Sequence, residues 1–156
     1  MVTLVLFSAL AAAVYDPVVV GLRVANKTAE REDVRIQMTR ALEQLTREAT
    51  AAYNVSQSLS QRFQFDARVV DANGDGSPEN RTNINYLVQS GTFQRVYNGT
   101  TVTLIPDLTS LTFTYLNSSN NVTTSPAQVR VMQVAVTATR NGEAISIATS
   151  ARLRNL

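Results

Sequence analysis

Apolar residues dominate the first part of the chain and then become periodic. Residues 1–25 (MVTLVLFSALAAAVYDPVVVGLRVA) are largely apolar, with Asp16 and Pro17 as the main interruptions. From Ala29 onward apolar residues recur at steps of three and four, which predicts an amphipathic helix. The residues of this stripe are Val34, Met38, Ala41, Leu42, Leu45, Ala49 and Ala52.

The extent of this helix follows from where glycine and proline fall. Neither residue occurs between Arg23 and Gly74. The simplest interpretation is one helix that runs from the N-terminus to about Ser56 and is disturbed near Pro17 and Gly21. The sequence therefore predicts an apolar helical segment at residues 1–25 and a globular domain at residues 26–156.

Beyond the helix the apolar period changes to two. Phe63, Phe65, Ala67 and Val69 alternate with polar residues, which predicts a half-buried strand. Further strands are predicted in NINYLVQSG, TFQRVYNG, TTVTLIPD, TSLTFTYL, QVRVMQVAVTAT and EAISIATSARLRN, with turns at Ser90-Gly91, Asn98-Gly99 and Asn141-Gly142. The apolar phase slips between Val131 and Val134, which predicts a bulge near Met132.

These patterns together predict an α+β fold. The long N-terminal helix has an apolar first half and an amphipathic second half, and it packs on a C-terminal antiparallel β-sheet.

Composition narrows the function. The chain has no histidine and no cysteine, so the commonest general base, thiolate nucleophiles and the usual zinc ligands are all missing, and we do not expect an enzyme. Net charge is +2, with 13 arginines and one lysine scattered among acidic residues. Such a distribution does not indicate a nucleic-acid partner.

One segment resembles a metal-binding loop. In DANGDGSPE, Asp71, Asn73 and Asp75 occupy alternate positions, a glycine follows, and Glu79 comes four residues after Asp75. This spacing matches the start of a calcium loop, but Thr82 stands where a complete loop has a bidentate glutamate. We therefore expect at most weak Ca²⁺ binding, and the alternative is that Asn-Gly and Asp-Gly are turn dipeptides.

Asparagines in this chain often begin Asn-X-Ser/Thr sequences. Six of the twelve do so, more than the Ser and Thr content gives by chance. Such sequences are N-glycosylation acceptors on surface segments of exported proteins, and the alternative is a surface that is simply rich in Ser, Thr and Asn. The candidate acceptors are Asn26, Asn54, Asn80, Asn98, Asn117 and Asn121.

The apolar N-terminus fits neither a signal peptide nor a simple membrane span. No basic residue precedes Arg23, and a span of about 20 apolar residues would have to include Asp16. A carboxylate in lipid costs a few kcal/mol unless it has a partner. We expect Asp16 either to meet an arginine, such as Arg23 of an adjacent subunit, or to lie where the helix has opened.

The ordered series of segments resembles the type IV pilin and pseudopilin superfamily over essentially the entire chain. The segments are LFSALAAAVYDPVVVGLR, REDVRIQMTRALEQLTREATAAYNV, IPDLTSLTFTYL and VAVTATRNGEAISIATSARLRN, most similar to those of minor pilins and J-type pseudopilins. The family's early glutamate and its basic leader are not found in MVTLVLF. Either the chain is a mature or trimmed form, or the subunit assembles without that glutamate, as many archaeal relatives do.

The resemblance implies a structural subunit of an extracellular type IV pilus-like filament. Such a subunit is held in the inner membrane by its apolar helix, is handled by pilus assembly machinery, and then polymerises with copies of itself into a cell-surface filament of the kind that serves adhesion. It also implies that the helix loosens near Pro17 and that a loop such as residues 71–79 binds Ca²⁺, as in some pseudopilins. The residues assigned to assembly are Leu4, Leu6, Phe7, Leu10, Val14, Pro17 and Gly21.

Two other functions remain open from the sequence. One is a minor pseudopilin, an initiating or tip subunit of a type II secretion or DNA-uptake machine, which would form small heteromeric complexes. The other is a membrane-anchored extracellular binding module or enzyme. The sequence offers that last class no ligand site other than residues 71–79.

Overall fold

The computed structural model describes residues 2–70 and 77–154, without the side chains of residues 2–14, 16, 17 and 70. The described chain is α+β, as the sequence predicts. One helix, α1 (Val2–Thr50), is followed by eight strands and a single 3-10 turn at Pro126–Gln128. The strands are β1 (Ala52–Leu59), β2 (Arg62–Val70), β3 (Pro78–Gln89), β4 (Thr92–Tyr97), β5 (Thr100–Ile105), β6 (Leu108–Leu116), β7 (Val131–Arg140) and β8 (Glu143–Arg152).

Helix α1 ends six residues earlier than the sequence predicts. It stops at Thr50, and the segment predicted to complete it forms β1. The Thr50 hydroxyl donates to the Thr46 carbonyl oxygen, and the Ala51 N–H bonds to the Glu48 carbonyl in a tighter last turn. The prediction was wrong because Ala52 and Val55 are compatible with either period, and pairing with β2 stabilises the extended alternative.

The strands form two antiparallel sheets, where the sequence predicts one. The first sheet has the order β1-β2-β3-β4-β5 and the second has the order β6-β7-β8. Both are simple meanders, because consecutive strands are neighbours. The separation falls at the Pro106-Asp107 corner between β5 and β6, where proline offers no backbone N–H and Asp107 takes a positive φ of 53°.

The three predicted tight turns are confirmed. Asn98-Gly99 and Asn141-Gly142 join β4 to β5 and β7 to β8, and in each pair both residues have positive φ. These angles match the right-handed twist of a hairpin, which is why Asn-Gly is favoured there. Ser90-Gly91 makes the corresponding turn between β3 and β4.

The predicted bulge near Met132 is wrong. Strand β7 pairs with β8 in continuous register from Val131 to Arg140. The irregularity against β6 lies at the other end of the strand, between Leu108 and Ser110. Val131 is half-buried, so the apparent slip in phase reflects an apolar residue that stands outside the buried alternation of Met132, Val134 and Val136.

The core lies between the second half of α1 and the two sheets. Met38, Leu45 and Ala49 are fully buried, and α1 contacts β2, β5, β7 and β8. Six aromatic side chains from both sheets contact one another, with 4.7 to 6.3 Å between the centroids of neighbouring rings. They are Phe63, Phe65, Tyr86, Phe93, Phe113 and Tyr115. This aromatic cluster fixes the sheets to each other and to α1.

Candidate functional site: the exposed apolar part of the helix

Residues 15–24 of α1 carry large apolar side chains that the globular domain does not cover. At about 1.5 Å per residue the 49-residue helix is roughly 70 Å long. Among the side chains that the structure describes, the first buried one is Met38, and none of residues 18–33 is buried. Five large apolar side chains here are 54–69% exposed, namely Tyr15, Val18, Val20, Leu22 and Val24. We call residues 15–24 the exposed apolar segment.

The exposed apolar segment is apolar on opposite sides of the helix. Val18 and Leu22 are four residues apart and share one side, and so do Val20 and Val24 on another. Because residues two apart point in nearly opposite directions at 3.6 residues per turn, the two pairs face away from each other. A single flat partner can therefore cover only one of the pairs.

The assembly residues predicted from the resemblance fall mostly outside this description. The side chains of Leu4, Leu6, Phe7, Leu10, Val14 and Pro17 lie outside the described residues. Gly21 is exposed, and nothing lies within 4 Å of a Cβ added to it. Helix α1 is continuous through Pro17 and Gly21 in the described backbone, and the loosening expected of this helix in a filament stays a prediction.

A search of the described residues for a membrane-spanning helix gives a negative result: none combines the necessary length and apolar content.

The predicted calcium ligands Asp71, Asn73 and Asp75 lie outside the described residues. Glu79 is described, on β3, with its Oε2 atom 4.0 Å from the Arg81 Nε atom. In the described ranges 2–70 and 77–154, no three acidic, histidine or cysteine side chains are grouped so that they could hold a metal ion. The calcium loop stays a prediction.

The six asparagines of the predicted glycosylation sequences differ in their surroundings. Five of them are exposed and Asn117 is half-buried; the exposed ones are Asn26, Asn54, Asn80, Asn98 and Asn121. The Asn54 amide nitrogen donates to Asp66 Oδ2 at 2.8 Å. The Asn117 side-chain oxygen accepts the backbone N–H groups of Ser119 and Asn121 at 2.9 and 3.0 Å.

A buried polar group that the sequence analysis missed anchors the C-terminal end of α1. Glu48 Oε2 accepts the Tyr86 hydroxyl at 2.8 Å and the Arg95 Nε atom at 2.9 Å, and Glu48 Oε1 accepts the second Arg95 nitrogen at 2.9 Å. Glu48 is 6% exposed. The signal was present in the sequence, because Glu48 lies three residues after Leu45 and next to Ala49 in the apolar stripe.

The electrostatics of this group follow from its burial. Burial and the adjacent Glu48 carboxylate raise the pKa of the Tyr86 hydroxyl well above its usual range. Burial alone would lower the pKa of Arg95, but the hydrogen bonds and charge of Glu48 outweigh it and raise that pKa. The arrangement is a bidentate ion pair with one extra donor, and it joins α1 to β3 and β4. Its chemistry is that of a structural clamp.

Four arginines in the second half of α1 are exposed. They are Arg31, Arg35, Arg40 and Arg47. Arg31 pairs within the chain, with its NH1 atom 2.9 Å from Glu143 Oε2.

The chain matches no protein-family model and no curated protein sequence.

Proposed function

We propose that this chain is a structural subunit of an extracellular filament that assembles in the manner of type IV pili, with the N-terminal half of α1 packed against copies of itself. The observation that carries the proposal is the exposed apolar segment, where five large side chains are more than half uncovered. Large apolar patches on soluble proteins mark interaction sites.

The placement of these side chains supports a polymer over a dimer. Val18 and Leu22 face away from Val20 and Val24, so covering both pairs takes neighbours on at least two sides. A helix that is apolar all round is stable when it is surrounded by other apolar elements. Contacts that use different surfaces on each copy propagate into helical filaments when they do not close into a ring.

The globular domain supplies the second requirement of such a subunit, a firm attachment for the projecting helix. The buried face of α1 carries Met38, Leu45 and Ala49, and the bidentate pair of Glu48 with Arg95 joins the helix to the first sheet. We propose that the domain forms the outer surface of the filament at the cell surface. The role is structural, without a catalytic step.

Electron microscopy of the purified chain tests the proposal. We expect filaments for the unaltered chain and none for Leu22→Arg, because a charge on the exposed apolar segment cannot be buried between neighbours. Val122→Arg is the matched control. Val122 is 71% exposed on the globular domain, so the same change there should leave filaments intact.

Two outcomes would count against the proposal. Filaments formed by Leu22→Arg would show that residues 15–24 do not build the core. Short complexes that need other proteins, in place of long homopolymers, would favour an initiating or tip subunit.

A further inference from the structure

A small polar pocket lies where the exposed apolar segment meets the globular domain. It is lined by Val24, Lys27, Thr28 and Arg31 of α1 and by the β7–β8 hairpin at Arg140, Asn141 and Glu143, and its volume is about 220 Å³. We call it the neck pocket. Three of its side chains are cationic and one is anionic. The pocket therefore favours an anionic ligand.

The cations of the neck pocket are only weakly engaged within the chain. Lys27 is exposed and has no ion-pair partner among the side chains that the structure describes. Arg31 pairs with Glu143 with both side chains at least 60% exposed, and Arg140 pairs with Asp107 at 49% and 71% exposure. Exposed pairs of this kind contribute little free energy, so both arginines can turn toward a ligand at small cost.

Apolar residues continue directly from the pocket. Val24 is part of its lining, and Val20, which lies one turn earlier on the same side of α1, is 57% exposed. A ligand that satisfies both surfaces is anionic at one end and apolar at the other. This is the chemistry of an acidic phospholipid, because the phosphate suits a cluster of Lys and Arg and the acyl chains suit the exposed side chains of Val20 and Val24.

We propose that the neck pocket binds the phosphate of an acidic phospholipid headgroup, with the acyl chains lying along the side of α1 that carries Val20 and Val24. The inference rests on the proposed function, since it concerns the subunit while it is associated with a membrane before assembly. Lys27 is the principal contact, and Arg31 and Arg140 are the supporting ones. Lipid and filament neighbours then compete for the same apolar side chains.

Flotation of the full chain with lipid vesicles tests this inference. One set of vesicles contains phosphatidylcholine alone, and in the other part of it is replaced by phosphatidylglycerol. We expect the unaltered chain to prefer the phosphatidylglycerol vesicles and Lys27→Gln to bind them about fivefold more weakly, as for the loss of one basic residue near an anionic surface. Arg40→Gln is the control, since Arg40 is an exposed arginine on α1 outside the neck pocket.

The flotation results of the two variants distinguish binding in the neck pocket from binding by general charge. A preference lost in Lys27→Gln and kept in Arg40→Gln supports the pocket. A preference that both variants keep, or both lose equally, overturns it, because binding would then follow general charge or the apolar segment alone. If Lys27→Gln keeps the preference and fails to form filaments, the pocket receives a carboxylate of a neighbouring copy and the lipid inference is wrong. Absence of filaments from the unaltered chain would overturn the proposed function without deciding the flotation result.

Discussion

The two ends of α1 carry similar apolar side chains in opposite environments. Near the C-terminal end, Leu45 is fully buried against the sheets, whereas Leu22 is 60% exposed on the same continuous helix. Apolar content alone therefore does not identify the residues of the folding core. Among the described side chains, the globular domain covers those around Leu45 and leaves those of the exposed apolar segment uncovered.

Loss of the buried ion pair near the C-terminal end of α1 should lower the stability of the fold most. Glu48→Ala leaves the Arg95 guanidinium and the Tyr86 hydroxyl without their acceptor, and we expect a loss of about 3–5 kcal/mol in the free energy of unfolding. Urea unfolding of the full chain measures it. Glu32→Ala is the control, because Glu32 is exposed on the same helix. Equal losses in the two variants would contradict the clamp.

Leu→Ala substitutions at residues 45 and 22 compare the buried and the exposed parts of α1 by their effect on the unfolding free energy. Leu45→Ala should lower the unfolding free energy by about 2–5 kcal/mol, because it leaves a cavity between α1 and the sheets. Leu22→Ala should change it by less than about 0.5 kcal/mol, because the side chain makes no core contact. Thermal unfolding at a concentration without filaments compares them. A large loss for Leu22→Ala would show that the segment folds back onto its own domain.

A smaller effect comes from removing one donor of the clamp. Tyr86→Phe deletes the hydroxyl that bonds Glu48 Oε2, and since this hydrogen bond is to a charged group we expect a loss of about 1.5–3 kcal/mol at neutral pH. The shift in the urea midpoint of unfolding, at an unchanged m-value, measures this loss. Tyr53→Phe is the control, because Tyr53 is 38% exposed.

The alkaline limit gives Tyr86 a second test. Its pKa is higher in the folded chain than in the unfolded one, so folding is favoured while the hydroxyl is protonated. That stability is complete below the ordinary tyrosine pKa of about 10 and is lost as pH rises beyond it. Tyr86→Phe should therefore show a shallower fall in unfolding free energy above that pH. Burial raises the pKa of Tyr115 too, so part of the fall should remain.

The smallest effect concerns the β7–β8 turn beside the neck pocket. Gly142 has a φ of +80°, which a side chain disfavours, so Gly142→Ala should cost about 1 kcal/mol. Gly21→Ala is the control on the exposed end, where helical backbone and open space accept the methyl group. Chemical denaturation measures both. A loss for Gly21→Ala as large as that for Gly142→Ala would indicate close packing around residue 21.

Local pattern was sufficient for much of this fold. The alternation of Phe63, Phe65 and Ala67 and the Asn-Gly turns predicted strands and hairpins that the structure confirms, because these signals lie within a few residues. The predicted end of α1 was wrong, because Ala52 suits either a helix or a strand and its pairing with Ala67 of β2 stabilises the strand. The division into two sheets depends likewise on contacts distant in sequence.

The candidate site was predicted in part. Apolar composition drew attention to residues 1–25, and exposure of residues such as Val20 and Leu22 identifies the part that the chain leaves uncovered. The neck pocket could not be predicted, because Lys27 and Arg140 are brought together only when the β7–β8 hairpin packs beside α1. Glu48 and Arg95 likewise lie 47 residues apart.

The attachment of α1 has a mechanical consequence. Contacts along the globular domain extend from the Arg31–Glu143 pair to the Glu48–Arg95 pair, a separation of roughly 25 Å at 1.5 Å per residue. A pull on the projecting end along the helix axis loads these contacts in shear, so they resist together. A sideways force on the projecting end uses α1 as a lever, and it loads the exposed Arg31–Glu143 pair more than the buried Glu48–Arg95 pair. The subunit should therefore withstand tension along α1 better than bending at its neck.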